Sequence, residues 1–178
     1  MFEEVSAPRP PAAYVIRDAR HDDLPAVCEI YNHYVLHSTV TFDEESRTAS
    51  QWEARLDELQ RLGMPVLVLE GASGQVLGYG LVAPWRQKAA YRYTVENSIY
   101  LHPDAAGKGY GAALLAELIE RSRAAGLREI IAVIADEGAD ASIALHHRLG
   151  FAEIGRMQRV GYKFGRWLGI VLLQKSLA

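Results

Sequence analysis

Residues 93–115 read YTVENSIYLHPDAAGKGYGAALL, and this stretch decides the fold class. Tyr93 to Leu101 reads as a strand, and Ala112, Ala113, Leu114 and Leu115 open a helix of about four turns that ends near Gly126. Between them, Gly107-Lys108-Gly109-Tyr110-Gly111 sets three glycines in a strand-to-helix turn. Glycines let a backbone approach a ligand closely, and the N–H groups of a helix start favour phosphate oxygens. The physical inference is a pyrophosphate-binding turn; the plain alternative is a glycine-rich turn that meets no phosphate. Spacing removes one familiar phosphate motif and weakens another. Walker A requires a hydroxyl after its lysine, but Gly109 follows Lys108. A dinucleotide fingerprint, G-x-G-x-x-G, belongs in the first strand-to-helix turn, whereas this chain has G-x-G-x-G well past its middle.

Downstream, the pattern continues to alternate. A β-branched strand, Ile130 to Ile134, precedes a short helix from about Asp140 to Leu149 closed by Gly150, then strands near Phe151–Arg159 and Trp167–Gln174. Upstream, a short strand spans Tyr14 to Ala19. Leu24, Val27, Cys28, Tyr31, Tyr34 and Val35 then share one face of an amphipathic helix, with Asp22 or Asp23 as its cap and Pro25 in the first turn. A polar loop, Thr39 to Ala49, leads to a helix around Ser50 to Leu62, ended by Gly63 and Pro65. Strands Val66–Glu70 and Val76–Val82 follow, joined by GASG at 71–74. The connection from Ala83 to Arg92 carries Trp85, Arg86, Lys88 and Arg92, a composition that often lines sites. The whole reads as α/β with a mixed sheet. Residues 1–13, with Pro8, Pro10 and Pro11 and little periodicity, read as a disordered or loosely docked tail before a domain over 14–178.

At 178 residues, 49% hydrophobic and 23% charged, the chain has the size and composition of one soluble globular domain. It has no apolar run of the roughly 18 residues that a membrane span needs and no secretory leader pattern, so a cytoplasmic location is expected. Nineteen Lys and Arg against 22 Asp and Glu give a net charge of −3, which disfavours an electrostatic nucleic-acid binder and leaves a small molecule or a protein as partner. A single cysteine, Cys28, excludes an internal disulfide and any Cys-based cluster and fits a reducing compartment. His33 and His37 are four apart on a helix but lack a third ligand, so no metal site is expected. Ser142 lacks a nucleophile elbow.

Residues 106–111, AGKGYG, resemble the acetyl-CoA loop [QR]-x-x-G-x-[GA] of the GNAT superfamily of N-acetyltransferases, with Ala106 where Gln or Arg is usual. The resemblance extends over nearly all of Tyr14 to Leu177. It points to the phosphinothricin and methionine sulfoximine acetyltransferase branch through YTVENSIYLHP (93–103), SIALHHRLGF (142–151) and VGYKFGRWLG (160–169). It implies one domain with a mixed, mostly antiparallel central sheet flanked by helices, acetyl-CoA as co-substrate, a small-molecule amine as acceptor and a homodimer.

Amide formation from a thioester needs a neutral amine, a site for the developing oxyanion and a proton for the leaving thiolate. By resemblance, Glu96 is the general base and His146 the thiolate acid, at a position where many relatives have Tyr. Backbone groups of Ile99, Tyr100 and Leu101 would meet the oxyanion and the pantetheine arm. Ala106, Gly107, Lys108, Gly109, Tyr110, Gly111 and Ala112 form the cofactor turn. Trp85, Arg86 and Arg92 belong to the acceptor region, where guanidinium forks suit a carboxylate or phosphinate, and Phe42 supplies an apolar wall. The family's usual Asn is replaced by Ala139, and Gly169 stands where an Asp often follows Trp-Leu. Structural readings stand beside these: an ion pair of Glu96 with Arg86 or Arg92, a packing role for His146, and solvated surface positions for the arginines. With no cysteine near these segments, the expected mechanism is direct attack in a ternary complex. The alternatives are another amine acceptor, such as a protein N-terminus or polyamine, and a non-catalytic acyl-CoA-binding domain.

Overall fold

The stripe between Leu24 and Val35 forms helix α1 (Leu24–His37), which buries Leu24, Val27, Ile30, Tyr31 and Val35. Asp23 stands at its N-cap, but its carboxylate does not cap the helix. It instead takes both amino groups of the Arg17 guanidinium at 2.7 and 2.8 Å and the Arg20 N–H at 2.8 Å, because a bidentate charge-assisted pair outcompetes a single bond to a helix amide. Helix α2 (Ala49–Arg61) starts on a reciprocal cap: the Gln51 N–H donates to Thr48 Oγ1, and the Thr48 N–H to Gln51 Oε1. The computed structural model describes residues 13–178, so the expected tail lies, apart from Ala13, outside the described residues.

Seven strands form one sheet: β1 (Tyr14–Asp18), β2 (Val66–Gly71), β3 (Val76–Pro84), β4 (Thr94–Leu101), β5 (Glu129–Ala135), β6 (Ala152–Lys163) and β7 (Arg166–Ser176). Their order is β1-β2-β3-β4-β5-β7-β6. Helix α3 (Tyr110–Ala124) crosses from β4 to β5, and α4 (Asp140–Arg148) follows β5. A helical crossover returns the chain in the same direction, so β4 and β5 are parallel while every other neighbouring pair is antiparallel.

Both faces of the sheet are covered, which is why β2 reads as an unbroken apolar run instead of an alternating one. Leu67, Leu69, Val82, Val95 and Ile130 face α3 through Leu114, Leu115 and Leu118. Val68, Tyr79 and Leu81 face α1 and α2 through Ile30, Leu56 and Leu59. Gly80 lets α3 lie close: a Cβ there would sit 3.4 Å from the Leu118 side chain.

Strand β6 continues past the expected Arg159 to Lys163. A bulge between Met157 and Gly161, with Arg159 at φ 55°, interrupts its period, and most of the strand is exposed, so its sequence carries little alternation. Among the described residues no helix is long and apolar enough to cross a membrane.

The feature that positions the site is where the parallel pair stops. β4 and β5 are in register only at Thr94/Glu129, Val95/Ile130 and Glu96/Ile131. Beyond this, β4 stays on β3 as far as Leu101, and β5 stays on β7 as far as Ala135. The sheet therefore parts from Asn97 onward.

Candidate active site

The direction of each backbone group on β4 follows from a few bonds. The Tyr93 carbonyl accepts from the Arg128 and Glu129 N–H groups on the β5 side, and the Leu101 carbonyl accepts from the Tyr34 hydroxyl at 2.6 Å. The Thr94 carbonyl accepts from Trp85, and the His102 N–H donates to Leu77, both on the β3 side. Groups alternate along a strand, so the C=O of Asn97 and the N–H and C=O of Ile99 and Leu101 point into the parting, while the Asn97 N–H closes the last rung of the ladder on Ile131. Those of Tyr100 point to β3, and it is the Tyr100 side chain, stacked on Tyr79 at 5.6 Å, that belongs to the α1/α2 face.

A cavity of about 670 Å³ fills the parting and touches residues of both faces. Toward α3 and α4 it is walled by Ala106, Gly107, Gly109, Gly111, Ala112, Ser142 and Leu145; toward α1 and α2 by Tyr31, Tyr34, Arg47, Trp52 and Arg55. Ile99, Leu101, Phe42, Ala139, Glu96, Asn97 and His146 also line it.

The glycine turn has the geometry that its sequence suggests. Gly107 and Gly109 take φ values of 74° and 84°, and a Cβ on either would meet nothing within 4 Å, so the turn faces open space. Gly109 caps α3, and the first amide bonded back into the helix is that of Ala113. The amides of Tyr110, Gly111 and Ala112 are thus the free donors of a helix start, a site for anionic oxygens. Two members of the expected set do not line the cavity. Lys108 reaches back to the Asp104 carbonyl at 2.8 Å, and the Tyr110 ring is buried edge-on against Tyr14.

Glu96 is half-buried and, among the described residues, forms no salt bridge or side-chain hydrogen bond. Burial pushes its carboxyl above the ordinary 4.5, opposed by the positive charges of Arg86 and Arg55. The ion pair with Arg86 or Arg92 is not formed. Arg86 lies 4.1 Å over the Trp85 ring and donates to the Trp85 carbonyl; Arg92 lies 4.6 Å over Tyr93 and donates to Ala89. Arg86 and Arg92 are exposed, Trp85 is half-buried, and none of the three lines the cavity.

The arginines that line the cavity are Arg47 and Arg55, toward α1 and α2, and Arg148 of α4, none of which the sequence reading singled out. Arg47 stands over Tyr31 and Trp52 at 5.0 and 5.5 Å and pairs with Asp43 at 3.1 Å. Asp43 also accepts from the Tyr31 hydroxyl, which burial pushes up to about 12. Tyr31 was legible only as part of a core stripe, and nothing local marks a loop arginine that folds back over it.

The loop carrying Phe42 and Arg47 is seated from β6. Lys163, 1% exposed, donates to the Ser38 and Thr41 carbonyls, both at 2.8 Å, and lies over the Phe164 ring. Burial lowers its pKa, and two carbonyl acceptors hold the charge in place. Gly161 leaves room for Phe42, whose ring a Cβ there would overlap.

His146 is 2% exposed, and both of its ring nitrogens are engaged. Nδ1 lies 2.8 Å from the Ser142 carbonyl, and Nε2 lies 3.0 Å from Asn97 Nδ2. A carbonyl can only accept, so Nδ1 carries the proton and Nε2 accepts from the Asn97 amide. Burial lowers the imidazole pKa, which keeps the ring neutral near pH 7. Asn97 Oδ1 is buried and has no hydrogen-bond partner among the described residues. His147 beside it is exposed. Among the described residues no group of three or more His, Cys, Asp or Glu is placed to hold a metal ion.

The sequence model of the acetyltransferase (GNAT) family matches residues 24–151. A phosphinothricin N-acetyltransferase of Alcaligenes faecalis is 41% identical over 165 residues, covering 93% of this chain and 83% of the relative. An L-methionine sulfoximine/L-methionine sulfone acetyltransferase of Pseudomonas aeruginosa is 45% identical over 162 residues, covering 91% and 94%. Among solved structures, a GNAT superfamily phosphinothricin acetyltransferase from Sinorhizobium meliloti in complex with acetyl-CoA superposes with a TM-score of 0.88 at 42% identity, over 93% of this chain and 89% of the other.

Proposed function

The chain belongs to the GNAT acetyltransferase family, and on that premise we propose that it transfers the acetyl group of acetyl-CoA to the primary amine of a small amino-acid-like acceptor, of phosphinothricin or methionine sulfoximine type. The observation that carries this reading is the parted sheet: an open strand edge and a helix start on one side, and an unpaired half-buried carboxylate reached from the other. The residues fit the cofactor. Its phosphates suit the free amides of Tyr110, Gly111 and Ala112, and its amide-bearing arm suits the backbone groups of Asn97, Ile99 and Leu101.

When bound, acetyl-CoA supplies an activated acetyl carbonyl. Glu96 takes a proton from the amine, directly or through one water, which its raised pKa favours. The N–H groups of Ile99 and Leu101 face the parting, where they can meet charge on a carbonyl oxygen. The departing thiol would take back, through solvent, the proton that Glu96 removes from the amine, which restores the carboxylate. On the Glu96 side, Arg47 and Arg55 offer guanidinium groups to an acceptor carboxylate or phosphinate, taking the part expected of Arg86 and Arg92. A polyamine would meet positive charge there.

Lys163 bears on this through the loop that it holds. Lys163→Met leaves two buried carbonyls unpaired, so we expect a loss of about 2 kcal/mol in denaturant unfolding. The KM of the acceptor should rise more than that of acetyl-CoA, and equal rises would remove the loop from acceptor binding.

Two copies pairing through the β6–β7 hairpin complete the proposal. This hairpin leaves Ile154, Met157, Tyr162, Phe164 and Trp167 about half exposed, an apolar surface that suits a second copy. The free Cys28 supports a cytoplasmic setting. The test is thiol release from acetyl-CoA with L-methionine sulfoximine, phosphinothricin, a polyamine and a peptide N-terminus in parallel, with light scattering on the same preparation. Saturable turnover on the first two and the mass of two chains are expected. Turnover confined to the polyamine or the peptide would overturn the acceptor class, and a one-chain mass would overturn the pairing.

A further inference from the structure

We propose that His146 is a positioning residue: it ties Asn97 of β4 to α4 across the mouth of the parted sheet and thereby sets the width of the cleft in which transfer occurs. This inference rests on the function proposed above.

The argument starts from where the two residues sit. Glu96 is the last β4 residue paired with β5, and the Asn97 N–H closes that ladder, so the strand edge is free from the Asn97 carbonyl onward. His146 lies on α4, which follows β5 and belongs to the opposite lip. The bond from Asn97 Nδ2 to His146 Nε2 therefore spans the opening at its root. The Ser142 carbonyl fixes the imidazole from behind, and Phe151 packs edge-on against it with centroids 4.9 Å apart.

In this arrangement His146 has no proton to give. Its one N–H is held by a carbonyl of its own helix, and its lone pair is occupied by an amide. Delivering a proton from Nε2 would require the ring to be protonated in a buried site and the Asn97 amide to turn over. His147, the next residue along, further disfavours a positive charge there.

Stability alone is a poor reason for the pair. Buried polar pairs can often be replaced by apolar groups of similar shape with no loss of stability. What an apolar pair cannot reproduce is a fixed distance and direction between β4 and α4. Misplacing reacting groups by about 1 Å can cost on the order of 100-fold in rate.

Glutamine separates this role from proton donation. Its amide oxygen can accept from Asn97 and its NH₂ can donate to Ser142, but it cannot act as an acid. The full-length wild type, His146→Gln, His146→Leu, Asn97→Leu and the double leucine variant are compared on acetyl-CoA and L-methionine sulfoximine, with kcat, both KM values, pH profiles and thermal unfolding recorded. We expect His146→Gln to keep turnover within about threefold of wild type with the same alkaline limb. Each leucine variant should be slower by on the order of 100-fold. The double variant should be no slower than either single one and should melt at or above the wild-type temperature. A folded His146→Gln as slow as His146→Leu, or one that loses an alkaline limb present in wild type, would overturn the inference in favour of an acid. Leucine variants with wild-type turnover would overturn it outright. A wild type silent on this acceptor would remove the proposed function and this inference together, whereas an active wild type beside a slow His146→Gln removes only the latter.

Discussion

Glu96→Gln is expected to lower kcat by about 10²–10⁴-fold, the usual worth of a positioned general base, while leaving the KM of acetyl-CoA nearly unchanged. The substitution preserves shape and removes only the charge, so binding on the cofactor side should survive. The pH profile follows from the sign of the shift. A base works in its deprotonated form, and burial raises the Glu96 pKa above 4.5, so wild-type kcat/KM should climb as pH rises through that elevated value. The acid limb should vanish from the variant. Stability should move the other way. A carboxyl whose folded pKa is raised opposes folding once the pH exceeds its unfolded pKa, so Glu96→Gln should melt no lower than wild type at neutral pH, and higher if the burial cost dominates. Retained turnover with a retained acid limb would assign the base to another group. Thermal unfolding beside a steady-state pH series decides it.

Gly109→Val is expected to weaken acetyl-CoA binding by about 10- to 100-fold with little change in acceptor KM, as read by titration calorimetry and kinetics. Gly109 caps α3 at φ 84°, a conformation that a β-branched residue rarely adopts. A Cβ there would meet no protein atom, so the loss would come from the turn relaxing away from its geometry and from bulk placed before the free amides of α3. Gly109→Asn separates the two causes, since Asn tolerates the left-handed region. It should recover part of the affinity if the backbone dominates and none if the space does. Unchanged affinity in the valine variant would remove the turn from cofactor binding.

How much of this was legible depended on whether the signal was local. The glycine turn was, because its φ values and its place before Ala112 and Leu114 are properties of adjacent residues. So was the α1 stripe, although Ile30 escaped it. Of the two expected caps, Asp23 takes the N-cap position, but its carboxylate answers to Arg17, a partner supplied by the fold. The acceptor wall was least legible. Trp85, Arg86 and Arg92 stand close in sequence to the key strand, yet each arginine stacks on its own neighbouring ring outside the cavity. Arg47 reaches the wall because Asn32 of α1 holds its backbone N–H and C=O and Lys163, far along the chain, grips the loop before it. Asn97 was in plain view in the quoted stretch, but the partner that gives it meaning lies 49 residues away.

The parting between β4 and β5 also has a mechanical side. Strands β1 to β4 and strands β5, β7 and β6 are two stiff plates joined by a ladder three residue pairs long. Below that joint, side-chain packing under α3 holds them together; above it, the Asn97–His146 bond sets their spacing at the root, and beyond that bond they have room to flex like the blades of tweezers. A molecule lying along the open β4 edge bridges both blades and damps that flexing. The same geometry that exposes a reactive carboxylate therefore makes the stiffness of the molecule depend on what it holds, with amide exchange along Asn97 to Leu101 as its natural gauge.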